Sequence, residues 1–203
     1  MNSRRSLTGI FIAVIIALIL LGTLAYWVIS RADKSRYEIP VLGQLPAFEF
    51  VDQDGQPFGS ADLKGKVAVI DFIFTRCKGP CPVMATKFLD LYNLFQGSDR
   101  VQLVSVTVDP EYDSVSVLKE YAESQGVNDN RWLFLHTSMD SLISFSEQGL
   151  KIAADKASLP GGHSTRFVLI DPEGRIRGYY DGLDDISIAK LKNNIKRLLD
   201  ESQ

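Results

Sequence analysis

A chain of 203 residues is long enough for one ordinary domain and an additional segment. With 45% hydrophobic and 23% charged residues it belongs with folded proteins, not with disordered or fibrous ones. A net charge of -3, from 22 basic and 25 acidic residues, argues against nucleic-acid binding by general basicity, and two cysteines cannot form a disulfide framework.

Residues 7–29 run for 23 positions without a charge. As a helix they would extend about 34 Å, enough to cross the hydrocarbon core of a bilayer. Tyr26 and Trp27 fall near one end, where amphipathic rings favour the interface. Thr23-Leu24-Ala25 would pass as a signal-peptide cleavage site, but the apolar stretch exceeds the usual signal-peptide length, so an uncleaved anchor is expected. Arg4 and Arg5 on one side oppose Arg31, Lys34 and Arg36 on the other, and this balance does not fix the orientation. The simplest topology is single-pass through the cytoplasmic membrane, with the domain facing the periplasm or cell exterior. The expected organisation is an anchor over 1–30, a linker over 31–46 and a domain over 47–203. Without residues 1–30 the chain keeps 20 basic and 25 acidic residues, a net charge of -5.

Two short strands at 47–51 and 57–60 flank Asp52-Gln53-Asp54-Gly55, a hairpin-turn signal. Residues 67–74 (VAVIDFIF) are apolar and β-branched, the profile of a strand covered on both faces. Pro82 then opens a helix with Met84, Phe88, Leu91 and Phe95 at helical spacing. Residues 101–108 form a second central strand. A helix from about 114 to 125 stops at Gly126, followed by a strand at 132–136 and a helix at 139–149. Strands at 165–170 and 176–180 join through Asp171-Pro172-Glu173-Gly174, and a helix over 183–199 ends the chain. Strand–helix alternation followed by a hairpin predicts an α/β fold: a mixed sheet with helices on both faces, on a thioredoxin-like plan.

Cys77-Lys78-Gly79-Pro80-Cys81 lies between the buried strand and the helix after it. The carboxyl end of a central strand is where open α/β sheets bind ligands. A helix N-terminus there favours a thiolate and is expected to lower a thiol pKa. Two sulfurs four residues apart can close a disulfide or ligate one soft metal ion, and the metal needs a third ligand. His163, after Leu159-Pro160-Gly161-Gly162 and before a strand, is the candidate. Two thiolates and an imidazole suit copper, and such a set also accepts zinc. His136 reads as structural, Met84 as core and Met139 as an ordinary helix-start residue. Asp109 and Asp113, after the second central strand, are candidates to orient the imidazole or the cysteine loop. For each the competing reading is a helix-terminal acid, and for Asp109 that structural reading is preferred.

Three stretches resemble the Sco/SenC family of copper-binding cytochrome c oxidase assembly proteins. They are Asp71-Phe72-Ile73-Phe74-Thr75-Arg76-Cys77 through Cys81-Pro82, Val108-Asp109-Pro110-Glu111-Tyr112-Asp113, and Gly162-His163-Ser164 followed by Leu169-Ile170-Asp171-Pro172-Glu173-Gly174. With the N-terminal anchor they follow the family's order across nearly the whole chain. The resemblance implies a thioredoxin-like fold and a copper ion on Cys77, Cys81 and His163. It also implies a role in delivering copper to the dinuclear site of cytochrome c oxidase subunit II, or in keeping that site's cysteines reduced. One departure is Lys78, where members often carry proline after the first cysteine. The alternative is a periplasmic thiol–disulfide oxidoreductase in which Cys77 and Cys81 form the redox-active pair, without metal. Its partner would be a thiol reductant such as a thioredoxin-like protein.

Overall fold

In a computed structural model that describes residues 3–36, 38–154 and 156–201, the chain divides into two compact units at Ile39/Pro40. The first is one helix, α1 (Ser3–Arg36). Its stretch Gly9–Ile29 is long and apolar enough to cross a membrane, and none of it is buried by protein. By length and composition it is a candidate membrane span. The segment expected as linker is partly structured. α1 continues to Arg36, and Gly43–Gln44 form an edge strand, β1.

The second unit is built on a six-stranded sheet. Its other strands are β4 (Val67–Ile73), β5 (Val101–Thr107), β6 (Trp132–Leu135), β7 (Arg166–Ile170) and β8 (Arg175–Asp181), in the order β1-β8-β7-β4-β5-β6. β4, β5 and β6 are parallel, and β7 and β8 form the antiparallel hairpin expected near the C-terminus. A separate hairpin pairs β2 (Glu49–Val51) with β3 (Pro57–Gly59). In its turn Asp52 Oδ1 accepts from the backbone N–H groups of Asp54 and Gln56, while Gly55 takes a positive φ of 76°. β1 escaped the sequence reading because two residues carry no periodicity; it exists by pairing with β8 at Ile176 and Arg175.

Strand alternation sends side chains of β4 to opposite faces. Ala68, Ile70 and Phe72 join a core with Phe50, Phe58, Leu142 and Phe145, under the β2–β3 hairpin and the short helix α4 (Met139–Ser144). The helix expected over 139–149 is α-helical only as far as Ser144; Phe145–Gly149 continues as a π-helical turn. The opposite face is covered by α2 (Cys81–Leu94), α3 (Val115–Ser124) and α5 (Asp185–Glu201). Phe88 of α2 meets Trp132 and Phe167, Tyr121 of α3 meets Phe134, and Asn194 of α5 donates to Tyr180. Helices on both faces of a mixed sheet complete the thioredoxin-like fold. α2 starts one residue earlier than Pro82 implied, so Cys81 is already helical.

Candidate metal centre

β4 is buried along its whole length and releases the chain at its carboxyl end through Phe74, Thr75 and Arg76 into Cys77. The Cys77 N–H donates to the Phe74 carbonyl at 3.2 Å, which turns the loop back toward α2. Two acids from beyond β5 hold this lead-in. Asp113, fully buried, accepts from the Thr75 N–H at 3.1 Å, the Thr75 hydroxyl at 2.5 Å and the Thr107 hydroxyl at 2.6 Å. Asp109 accepts from Arg76 Nε at 2.9 Å and Nη2 at 2.8 Å, and the guanidinium lies 4.3 Å over the Tyr112 ring. Both acids therefore contact the cysteine loop, not the imidazole. Of the remaining links, Thr75 belongs to the stretch that leads to Cys77, whereas Thr107 carries no motif of its own and is found only through its partner Asp113.

His163 arrives from the loop before β7. That loop coils on itself, with the Gly162 N–H donating to the Ser158 carbonyl at 2.8 Å, and a Cβ at Gly162 would meet the Ser158 side chain at 2.9 Å. The ring stands edge-on to Phe74, with centroids 5.4 Å apart. Its Nδ1 lies 3.0 Å from the Ser164 carbonyl, an oxygen that can only accept, so Nδ1 carries the proton and Nε2 keeps a lone pair. Nε2 sits 3.3 Å from the Cys81 sulfur, and the ligand atoms of Cys77, Cys81 and His163 all lie within 4.8 Å of one another. An ion with bonds of about 2.3 Å to sulfur and 2.0 Å to nitrogen sets such atoms roughly 3.5–4 Å apart. The three donors are thus close to ligating distances with little movement required, and two sulfurs with one imidazole fit a soft ion.

Burial holds the His163 pKa below the ordinary imidazole value, which keeps the ring neutral and ready to ligate. For Cys81 the outcome is opposite to the helix-terminus expectation. Burial, reinforced by the neighbouring Cys77, pushes its thiol up to about 12. The sulfur is inside the first turn and shielded from water, so desolvation outweighs the helix dipole. The free dithiol accordingly keeps its Cys81 proton at neutral pH, and a metal must displace it. Cys77 is half-buried and forms the accessible side of the pair.

The other candidates fall elsewhere. His136 exchanges backbone hydrogen bonds with Val51 and its Nδ1 is buried without a partner. Met84 is fully buried in the core, and Met139 packs against the opposite core cluster. One further residue of the stretch leading to Cys77 stands out by its burial. Asp71, the single charge in the run VAVIDFIF, is almost completely buried, and neither carboxylate oxygen has a hydrogen-bond partner.

Residues 43–200 match the SCO1/SenC family model. A SCO1/SenC family lipoprotein from Bacillus anthracis is 34% identical, with a TM-score of 0.70 over 77% of this chain and 95% of that one. BsSco, described as having a disulfide switch and as a member of the Sco family of cytochrome c oxidase assembly proteins, is 28% identical. Its TM-score is also 0.70, over 79% of this chain and 96% of its own. A protein of Stutzerimonas stutzeri, named as a candidate copper binder, is 30% identical over 76% of this chain and 80% of its length. The match spans the sheet, the cysteine loop and the histidine loop together, and the chain belongs to the SCO1/SenC family.

Proposed function

We propose that the domain binds copper through Cys77, Cys81 and His163 and delivers it to the dinuclear copper site of cytochrome c oxidase subunit II, or keeps the cysteines of that site reduced. The observation carrying this reading is the convergence of three soft donors within 4.8 Å, with the lone-pair nitrogen of His163 facing the Cys81 sulfur. The family adds the direction, since its members include cytochrome c oxidase assembly proteins and a named candidate copper binder. The copper ion is cargo in this scheme: it leaves by exchange of these ligands for the partner's thiolates, entering and leaving on the Cys77 side. α1 holds the chain in the cytoplasmic membrane as a single span, with the domain on the periplasmic or outer side. Asp113 and Asp109 act behind the ligands by holding Thr75 and Arg76.

Copper titration of the reduced full chain in detergent tests this. His163→Ala should weaken copper binding by at least about tenfold and alter the thiolate-to-copper absorption. Unchanged affinity and spectrum would remove the metal reading. A second reading, thiol–disulfide exchange without metal, is favoured by the proximity of the two free sulfurs and by the disulfide switch described for BsSco. It uses Cys77 and Cys81 with a thioredoxin-like reductant as partner. Here both cysteines are needed and His163 is dispensable, so the same His163→Ala variant separates the two.

A further inference from the structure

β4 and β8 are each antiparallel to β7, so they run in the same direction and the turn after β8 emerges at the edge where the sulfurs sit. Two strand spacings, about 10 Å, separate that turn from the cysteine loop. It is fixed against the start of β7: the Gly182 N–H donates to the Thr165 carbonyl at 2.9 Å, and a Cβ at Gly182 would lie 2.7 Å from the Phe167 ring. α5 begins next and is tied to α2 by Lys87 with Asp185 at 2.5 Å and by Lys192 with Asp90 at 3.8 Å. The two helices therefore run side by side with their N-termini together at the metal end. Three large apolar side chains are exposed there. Val83, in the first turn of α2 and on the face of Lys87, is 47% exposed; Leu183, in the turn after β8, is 46% exposed. Ile186, beside Asp185, is 81% exposed, the highest value for a large apolar side chain among the described residues. The inner stripe of α5 is already supplied by Ile188, Leu191, Ile195 and Leu198, so Ile186 does not pack its own helix. Scattered apolar residues on a surface are ordinary, but three on elements locked together beside an exchange site form a patch.

We infer that Val83, Leu183 and Ile186 seat the copper-accepting partner, a thiol-bearing domain with an apolar surface of its own beside its sulfurs. The inference rests on the delivery reading of the site and names the surface on which that delivery takes place. Copper passes as an ion: each bond it loses to Cys77, Cys81 or His163 is replaced by a bond to the partner, and no electron moves. The protons released by the partner's thiols are taken up by Cys77 and Cys81. Such an exchange requires the partner's sulfurs to reach bonding distance of an ion on the Cys77 side, so the two proteins must be in contact around Cys77. An ordinary protein–protein interface covers about 800 Å² of each partner, a disc of roughly 16 Å radius. Centred on the cysteine loop, that disc takes in the turn after β8 and the first turns of α2 and α5. The cations bordering this area are already paired, Lys87 with Asp185 and Arg76 with Asp109, so a partner covers them without leaving either charge alone. Apolar side chains in the middle of such an area, with paired charges around them, are what a protein contact needs.

The test is copper transfer from the copper-loaded full chain in detergent to the copper-free soluble domain of cytochrome c oxidase subunit II, read as copper on the separated acceptor against time. Leu183→Asp and Ile186→Asp should each lower the second-order transfer rate at least about tenfold. Both should leave the chain's own copper affinity and thiolate-to-copper absorption unchanged, which also checks that the site is intact. Ile186→Asp puts an acid in the first turn of α5, a place that a helix N-terminus favours, so the helix is kept. Leu94→Asp, exposed at the far end of α2, should transfer as the wild type does. Wild-type transfer rates in both patch variants overturn the inference and leave delivery standing. Variants that lose self-association in detergent while transferring normally give the patch to a second copy of the chain instead. A wild type that passes no copper to the acceptor overturns the delivery reading and the inference together.

Discussion

Asp113 is fully buried and accepts three hydrogen bonds, two from the half-buried Thr75 and one from the buried Thr107. Asp113→Ala leaves the buried Thr107 hydroxyl without its acceptor and takes both bonds from Thr75, a cost of roughly 1–3 kcal/mol, and frees the lead-in to Cys77. Denaturant unfolding should show the loss, and copper affinity should fall with it; Thr75→Val should reproduce the affinity loss with a smaller stability cost. Asp71 makes the opposite contribution. Its folded-state pKa is raised, so between about pH 4 and 7 the native state holds a proton the unfolded chain has lost, and stability falls as pH rises across that window. The effect is on the order of 4 kcal/mol at most. Asp71→Asn should therefore gain stability over the wild type at pH 8 and gain little at pH 4, as thermal melts at the two pH values would show. In the sequence, the sulfurs and His163 were legible as chemistry because their residue types are scarce. Asp71 was equally visible as a lone charge among VAVIDFIF, but its significance depends on what lies opposite it, and that is set by the fold.

At the scale of elements, the β7–β8 hairpin depends on one buried acid. Asp171 is fully enclosed and accepts from Arg177 Nη1 at 2.7 Å, from Arg175 Nε at 2.7 Å and from the backbone of Glu173 and Arg175. These contacts hold its pKa below the ordinary carboxylate value. Asp171→Ala removes the buried carboxylate that Arg177 Nη1 and Arg175 Nε share, while Arg177 keeps its bond to the Pro40 carbonyl, a loss of about 3–5 kcal/mol. For a domain of this size that corresponds to a fall in Tm of roughly 10 °C. Because β7 begins three residues after His163, the same substitution should also weaken copper binding. The long elements were readable from periodicity, and most boundaries moved by a residue or two, although α1 runs on to Arg36 past the expected anchor end at 30. The larger misses were β1, created wholly by its partner strand, and the π-helical turn at Phe145–Gly149, where tertiary packing of Phe145 against Phe48 and Phe50 overrides the helical pattern.

For the whole molecule, the apolar helix and the acidic domain make separable predictions. A chain lacking residues 1–36 should leave the membrane fraction and retain copper binding, since all three ligands belong to the second unit. The full chain should resist extraction by alkaline carbonate and yield to detergent; release by carbonate would contradict a spanning helix.

The amino-acid sequence by itself determined which segments are apolar, where turns interrupt them and which residues are able to carry thiol or metal chemistry. Those properties are local, written in side-chain type and spacing. Only the tertiary structure decided that Cys81 is a buried, protonated thiol, that His163 turns its lone pair toward it, and that Asp109 and Asp113 act on the loop instead of the ring. Each of these depends on desolvation and on hydrogen bonds between residues far apart in the chain, quantities that exist only once β4, β5 and the histidine loop are packed together.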